Sequence, residues 1–305
     1  RRQRQMCIRD RSNSTLEQKM TESYDNRDGY IWLDGNMVPW RDANIHVLTH
    51  ALHYASSVFE GERAYNGKIF KSQEHSKRLI ASGKMLDMPI PYSVNEIEDA
   101  KYKALKTSGL SDAYVRVVCW RGSGKDMGVA SAANPVRMAV AVWEWGAYYG
   151  DAKMKGAKLD ISKWKRPSPE TIPCHAKASG LYMICTMSKH DAEAKGCSDS
   201  MMYDHRGYVA EATGANIFFV KNDEVHTPLA DTFLNGITRQ TVIDLLKARN
   251  IVVHERHILP DELTKFEQCW LTGTAAEVTP VGQIGPHKYT VGSVVKEIAE
   301  EYESL

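Results

Sequence analysis

Several short stretches of the chain alternate apolar and polar side chains with a period of two, and others repeat with the period of a helix. Tyr30-Ile-Trp-Leu-Asp-Gly-Asn-Met-Val-Pro39 reads as a hairpin turning on Asp34-Gly35. Ser57-Val-Phe-Glu-Gly-Glu-Arg-Ala-Tyr65, with Asn66-Gly67 and Lys-Ile-Phe70 behind it, is a strand pair with a strong turn. Ser72 is placed to cap a helix carrying Arg78, Leu79 and Met85. Ser93-Val-Asn-Glu96 forms a capping box that opens a second helix, ending near Gly109. Asp112-Ala-Tyr-Val-Arg-Val-Val118 alternates as a strand, with Tyr114 and Arg116 on one face. The glycine-rich loop over 121–129 lacks the Gly-Lys-Ser/Thr ending of a phosphate-binding P-loop, and an apolar strand over 137–143 follows it.

Trp145-Gly-Ala-Tyr-Tyr-Gly150 fits neither period and marks a domain boundary. In the second half, strands are predicted over 157–163, 199–203, 208–211 and 216–220, and a helix over 178–196 stopped by Gly196. Another helix follows Gly236-Ile-Thr238 with Val242, Leu245 and Leu246 inward, and a last one covers 291–302. The expected fold class is α+β in two domains. A leader over 1–19 precedes a smaller N-terminal domain over 20–143, a linking loop over 144–152 and a larger C-terminal domain over 153–305.

Hydrophobic residues at 43% and charged residues at 25% give the balance of a globular chain, and no apolar run approaches the roughly 20 residues of a membrane span. The net charge of +1 hides a basic start: the first 20 residues carry +4 and the remaining 285 carry −3. Residues 1–19 lack the apolar core of a secretory signal and end before Met20, so they read as sequence foreign to the fold rather than a nucleic-acid arm. Nothing later is basic enough for nucleic acid. The six cysteines lie far apart with no Cys-x-x-Cys pair, which points to reduced thiols in a cytoplasmic protein. His46, His50 and His53 would share one helical face, but no acidic or cysteine partner completes a metal set, so none is expected.

Chemistry concentrates around Lys177. Lysine is costly to bury, yet this one stands among Ala176, Ala178, Ser179 and Gly180, small residues that leave room for a large neighbour. A lysine in an apolar pocket can form a Schiff base with a carbonyl, and the surrounding stretches look ready to hold a bulky anion. The reading that follows is a pyridoxal phosphate site. Such a site needs a lysine, an acid at the ring nitrogen, a partner for the ring hydroxyl and an anion cradle. Glu211 suits the second demand, with Ala210, Ala212 and Gly214 giving the ring room, and Tyr182 the third. Ile237 and Thr238 open a helix whose amides face an anion, while Thr274 adds a hydroxyl and Arg78 a cationic fork. Taken singly, each has a plain alternative, since a lone Glu on a strand is usually at the surface and Gly-Ile-Thr before a helix is usually a cap. They persuade as an ordered set.

That set resembles the fold-type IV pyridoxal phosphate enzymes from about residue 29 to residue 302, and most closely the branched-chain amino-acid aminotransferases. The resemblance is carried by His50-Ala-Leu-His-Tyr-Ala-Ser-Ser-Val-Phe-Glu-Gly61, Ala113-Tyr-Val-Arg116, Glu144-Trp-Gly-Ala-Tyr148, Ala176-Lys-Ala-Ser-Gly180, Val209-Ala-Glu-Ala-Thr-Gly-Ala-Asn-Ile-Phe218, Gly236-Ile-Thr-Arg239 and Gly273-Thr-Ala-Ala-Glu-Val-Thr-Pro280. It implies that Lys177 bears the cofactor, Glu211 and Tyr182 address its ring, and Arg78, Ile237, Thr238 and Thr274 hold its phosphate. It implies also that Tyr114 and the amides of Thr274 and Ala275 take the substrate's α-carboxylate. Tyr54, Phe59, Gly61, Trp145, Tyr148 and Tyr182 then line the side-chain pocket, with Val129 reaching in from a partner subunit and Arg116 facing glutamate's second carboxylate.

The activity implied is ping-pong transfer of the amino group of L-leucine, L-isoleucine or L-valine to 2-oxoglutarate, in at least a homodimer, with a hexamer left open. D-amino-acid transaminase, 4-amino-4-deoxychorismate lyase and (R)-amine transaminase share the fold and cofactor and are the nearest rivals. A non-catalytic vitamin B6 carrier is the rival of another class. Two positions depart from the pattern. Glu62 stands where an apolar residue is common, close to the expected pocket wall, and Ala215 where Glu is frequent.

Overall fold

A computed structural model describes residues 23–145 and 155–305. The leader, most of the expected linker and Tyr148 lie outside them. Six strands come first: β1 (Tyr30–Leu33), β2 (Asn36–Pro39), β3 (Ser57–Tyr65), β4 (Lys68–Ile69), β5 (Ala113–Arg121) and β6 (Val136–Trp143). They form one antiparallel sheet in the order β2-β1-β6-β5-β3-β4. The β1–β2 turn is the expected one, with Asp34 and Gly35 at φ of 44° and 95°, the left-handed pair that matches strand twist in a two-residue hairpin.

Helices α1 (His50–Tyr54), α2 (Ser72–Met85) and α3 (Val94–Ser108) belong to this half. α3 starts on the expected capping box, Ser93 with Glu96, and stops at Gly109 in the left-handed region. α2 does not start as expected. Lys71 at φ 51° occupies the cap position, so Ser72 is the first helical residue and its hydroxyl caps nothing. α1 is also shorter than the histidine spacing suggests. It begins at His50 after extended Thr49, which leaves His46 off the helix.

One face of the first sheet buries Val58, Ala64, Val115, Val117, Cys119, Met138 and Val140 against Leu79 of α2 and Ile97 of α3. Each such aliphatic side chain contributes about 2 kcal/mol on removal from water. The strand alternation sends Phe59, Gly61, Tyr114 and Arg116 to the opposite face.

The second half holds β7 (Ala157–Ile161), β8 (Asp199–Tyr203), β9 (Val209–Ala212), β10 (Asn216–Lys221), β11 (Glu224–Pro228), β12 (Val253–Arg256), β13 (Gln268–Gly273), β14 (Glu277–Ile284) and β15 (His287–Lys288). Six of them, in the order β10-β13-β14-β7-β8-β9, close on themselves because Asn216 of β10 pairs with Glu211 of β9. Leu159, Met201, Ile217, Phe219, Leu271 and Val281 fill the closed sheet. On the outside, Phe218, Val220, Trp270 and Val278 meet Val242 and Leu246 of α5 (Ile237–Ala248) and Ile298 of α6 (Ser293–Glu303). Being buried on both faces explains why β10 reads Asn-Ile-Phe-Phe-Val without alternation. The helix expected from residue 178 opens as a 3-10 turn over Ser179–Tyr182 before α4 (Met183–Ala194).

Candidate active site

The two sheets meet at the segment bearing Lys177. Ala178 bridges to Val58 of β3, the Phe59 amide donates to the Lys177 carbonyl (3.1 Å), and the Lys177 amide donates to Ser82 Oγ of α2 (2.9 Å). Thus the backbone of Lys177 is fixed from two sides while its side chain enters a cavity of about 250 Å³. Its Nζ donates to Tyr182 Oη at 2.9 Å and lies 4.8 Å from the centre of the Phe59 ring.

At one end of the cavity stands Glu211, 8% exposed. Asn216 Nδ2 donates to its Oε2 (3.0 Å), and Arg166 Nε lies 3.2 Å from its Oε1. Burial pushes the Glu211 carboxyl up to about 7, against the downward pull of Arg166 and Lys177. Asn216 also donates to the Leu234 carbonyl and accepts from the Gly236 amide, so one side chain fixes Glu211 relative to the start of α5. Gly236 is required there, since a Cβ would sit 2.3 Å from Asn216 Oδ1.

The wall at the start of α5 suits an anion. No side chain caps α5, so the amides of Ile237 and Thr238 are presented to the cavity at the positive end of the helix dipole. Thr274 and Ala275 line the cavity too, and Thr272 Oγ1 beside them is buried without a hydrogen-bond partner among the described residues. Arg78 reaches this region from α2, with Nε and Nη2 each 2.7 Å from the two oxygens of Glu60. Burial would raise Glu60, but Arg78 and His75 outweigh it and hold the carboxyl well below the usual range. An orphaned hydroxyl, uncapped amides, a lysine and an arginine fit a phosphorylated ring aldehyde.

The third wall is aromatic and cationic. Tyr114 and Arg116 project from β5 as expected, Arg116 Nη2 donating to Tyr114 Oη at 3.1 Å. The guanidinium lies 4.7 Å from the Phe59 ring centre, and Trp145 stacks on Tyr114 at 4.5 Å. Gly61 makes room for the phenol, because a Cβ there would sit 1.9 Å from Tyr114 Oη.

Lys177, Arg78, Tyr182, Glu211, Ile237, Thr238, Thr274, Ala275, Phe59, Gly61, Tyr114, Arg116 and Trp145 are therefore brought together. Tyr54 and Val129 are not. Tyr54 packs its ring at a tilt against His50 and donates to the Met127 carbonyl (3.1 Å), which turns it away from its own cavity and beside the exposed Val129 loop. Glu62 corrects another expectation. The β3 alternation sends it away from the pocket to Lys101 of α3 (2.9 Å), which also pairs with Glu98 (2.7 Å). Ala215 does line the cavity.

Sequence reasoning gave no role to Arg166, Glu60, Ser82 or Thr272. Glu60 lay within a recognised motif, whereas Arg166 carries no local signal. Away from the cavity, Glu224, His226 and His254 come together, His254 Nε2 lying 2.8 Å from Glu224 Oε2. Arg256 Nε donates to His226 Nδ1 (3.1 Å), which places a neutral ring's own proton on Nε2 and a cation against the group. It is a hydrogen-bonded cluster at the sheet edge.

This α+β fold, with a lysine entering a cavity where two sheets meet beside a buried acid and an uncapped helix start, is that of the fold-type IV enzymes. The Amino-transferase class IV family matches residues 57–284, and the chain belongs to it. It is 40% identical over 271 residues to the branched-chain-amino-acid aminotransferase of Pseudomonas aeruginosa, covering 87% of this chain and 88% of that protein. The crystal structure of the Escherichia coli branched-chain amino acid aminotransferase superposes with a TM-score of 0.88 at 34% identity, covering 92% of this chain and 95% of that one. The branched-chain amino acid aminotransferase of T.th., solved with pyridoxamine 5'-phosphate, gives 0.87 at 39% identity, covering 91% and 94%.

Proposed function

We propose that this protein is a branched-chain amino-acid aminotransferase using pyridoxal 5'-phosphate, moving the amino group of L-leucine, L-isoleucine or L-valine to 2-oxoglutarate in a ping-pong cycle. The observation that carries the substrate reading is the shared wall of Phe59, Tyr114 and Arg116, apolar enough for a branched side chain and cationic enough for a second carboxylate.

When bound, the cofactor supplies an electron sink that lets an amino group pass between a 2-amino acid and a 2-oxo acid. Lys177 Nζ anchors it and moves a proton at the substrate α-carbon. Tyr182, already in hydrogen bond with Nζ, orients the ring hydroxyl. Glu211 holds the ring-nitrogen proton, with Asn216 and Arg166 fixing its two oxygens. Arg78, Ile237, Thr238 and Thr274 bind the phosphate. Tyr114 and the amides of Thr274 and Ala275 take the α-carboxylate, and Arg116 takes the side-chain carboxylate of glutamate.

The working form is at least a homodimer in the cytoplasm. An apolar groove of about 360 Å³ on the outer face of the first sheet, lined by Ile31, Leu33, Ile45, Leu52, Val118 and Trp120, supports an interface between copies. Val47, Leu48 and Val129 are further apolar side chains left exposed. Tyr54 and Val129 lie together beside this face and complete the partner's pocket. Among the described residues the five cysteines are free and buried, in keeping with a reducing compartment, and no helix is long and apolar enough to cross a membrane.

The test is an assay of the holoenzyme with L-leucine and 2-oxoglutarate, beside D-alanine and an (R)-amine as donors. Glutamate formed from L-leucine alone is the expected result. Turnover restricted to the D-amino acid or the amine overturns the substrate assignment.

A further inference from the structure

The hairpin joining β13 to β14 turns through Thr274, Ala275 and Ala276, where Gly273 pairs with Glu277. Glu277 closes it with a φ of 52°, a conformation that glycine adopts without cost and a glutamate does not. Its side chain explains the choice. Tyr65 Oη donates to Glu277 Oε1 at 2.7 Å, and Arg63 Nη1 lies 3.9 Å from the same oxygen. Tyr65 is the last residue of β3 and Glu277 the first of β14, so this hydrogen bond joins one sheet to the other across the cleft. On the far side of the turn, Thr279 Oγ1 donates to the Ala276 carbonyl at 2.6 Å. Burial, and then Glu277 itself, raise the Tyr65 phenol well above its ordinary value, so it remains a donor.

The turn held this way is the one that brings Thr274 and Ala275 to the cavity, while Tyr114 comes to it from the first sheet. A carboxylate gripped by both must find the two sheets at a set separation. We propose that Tyr65 is a positioning residue: through Glu277 it sets the Thr274–Ala275 turn at the distance from Tyr114 at which a substrate carboxylate is bound. This rests on the carboxylate role proposed for Tyr114, Thr274 and Ala275. The device acts on both half-reactions, because every amino acid and oxo acid substrate carries that carboxylate. It leaves proton movement at Lys177 Nζ untouched, and of the groups that hold the phosphate it moves only Thr274, not Arg78 or the amides at the start of α5.

The experiment compares wild-type, Tyr65→Phe and Glu277→Gly holoenzymes. In both variants KM for L-leucine, L-glutamate and their oxo acids should rise roughly tenfold, the scale of one lost hydrogen bond, with kcat within about threefold. The inhibition constant of 4-methylvalerate, a branched carboxylate without an amino group, should rise by the same factor, while cofactor affinity falls by no more than about threefold, since Thr274 is only one of the groups that hold the phosphate. Both variants should still unfold in one cooperative transition above the assay temperature, glycine at 277 offsetting part of the lost hydrogen bond by relieving the left-handed backbone; that separates positioning from loss of fold. Unchanged KM in both variants overturns the proposal, as does a fall in cofactor affinity that matches the rise in KM. If 4-methylvalerate fails to inhibit even the wild type, the carboxylate reading beneath the proposal is what falls.

Discussion

Arg166 Nε lies 3.2 Å from Oε1 of Glu211, and the two side chains are almost wholly withdrawn from water. Burial alone drives this carboxyl toward its neutral form, and Arg166 is the largest opposing influence. Replacing Arg166 by Gln removes that cation and raises Glu211 further. The ionised form then exists only at higher pH, so the acidic limb of kcat/KM should move up by about one unit or more. Activity should fall at pH 7 and recover toward pH 9. An acidic limb that stays in place contradicts the role given to Arg166.

Arg116 offers a sharper test of dual substrate recognition. Its Nη2 is engaged by Tyr114, but its Nε is buried without a hydrogen-bond partner among the described residues, a donor that an incoming carboxylate would satisfy. Arg116→Gln should cost about 2 kcal/mol with 2-oxoglutarate or glutamate, roughly 30-fold in kcat/KM. The branched-chain substrates should change by about threefold or less, since they meet the aromatic wall. Equal losses for both classes would show that Arg116 serves the fold instead.

Glu62 predicts a pH dependence of stability rather than of catalysis. Burial pushes its carboxyl up to about 8, and Lys101, which Glu62 shares with Glu98, pulls it down only in part. Between the ordinary value of 4.5 and about 8 the folded chain therefore holds a proton that the unfolded chain has lost. Stability falls as pH rises through that window, by at most about 1.4 kcal/mol per unit for this one group, and Glu62 adds no further loss above it. Glu62→Leu should flatten the slope measured by urea unfolding between pH 5 and 8, because Lys101 keeps Glu98 and the Ser72 carbonyl. Parallel slopes in the two proteins would refute the assignment.

What could be read from the chain in advance follows the range of the interactions involved. The Asp34-Gly35 turn, the Ser93–Glu96 box and the common face of Tyr114 and Arg116 depend on neighbours within a few residues, and each is found as expected. Ser72 fails as a cap because Lys71 takes a left-handed turn that local preference does not foresee. The pairing of Glu211 with Asn216 was within reach, since both stand in one motif around a tight turn. Arg166 was not, because only closure of the second sheet and the packing of α4 bring it to Glu211. Glu62 was misplaced for a different reason: its motif touches the pocket, but strand alternation gives neighbouring residues opposite faces.

The central claim is that Lys177 carries the cofactor and acts on L-amino acids. Its most direct test is the visible absorption spectrum of the holoenzyme before and after addition of L-leucine, with Lys177→Ala alongside. The account predicts a yellow band in the wild type that L-leucine discharges and D-leucine leaves intact, and no such lysine-bound band in the variant. A wild-type protein that stays colourless with added pyridoxal phosphate, or a yellow band indifferent to L-leucine, would contradict it.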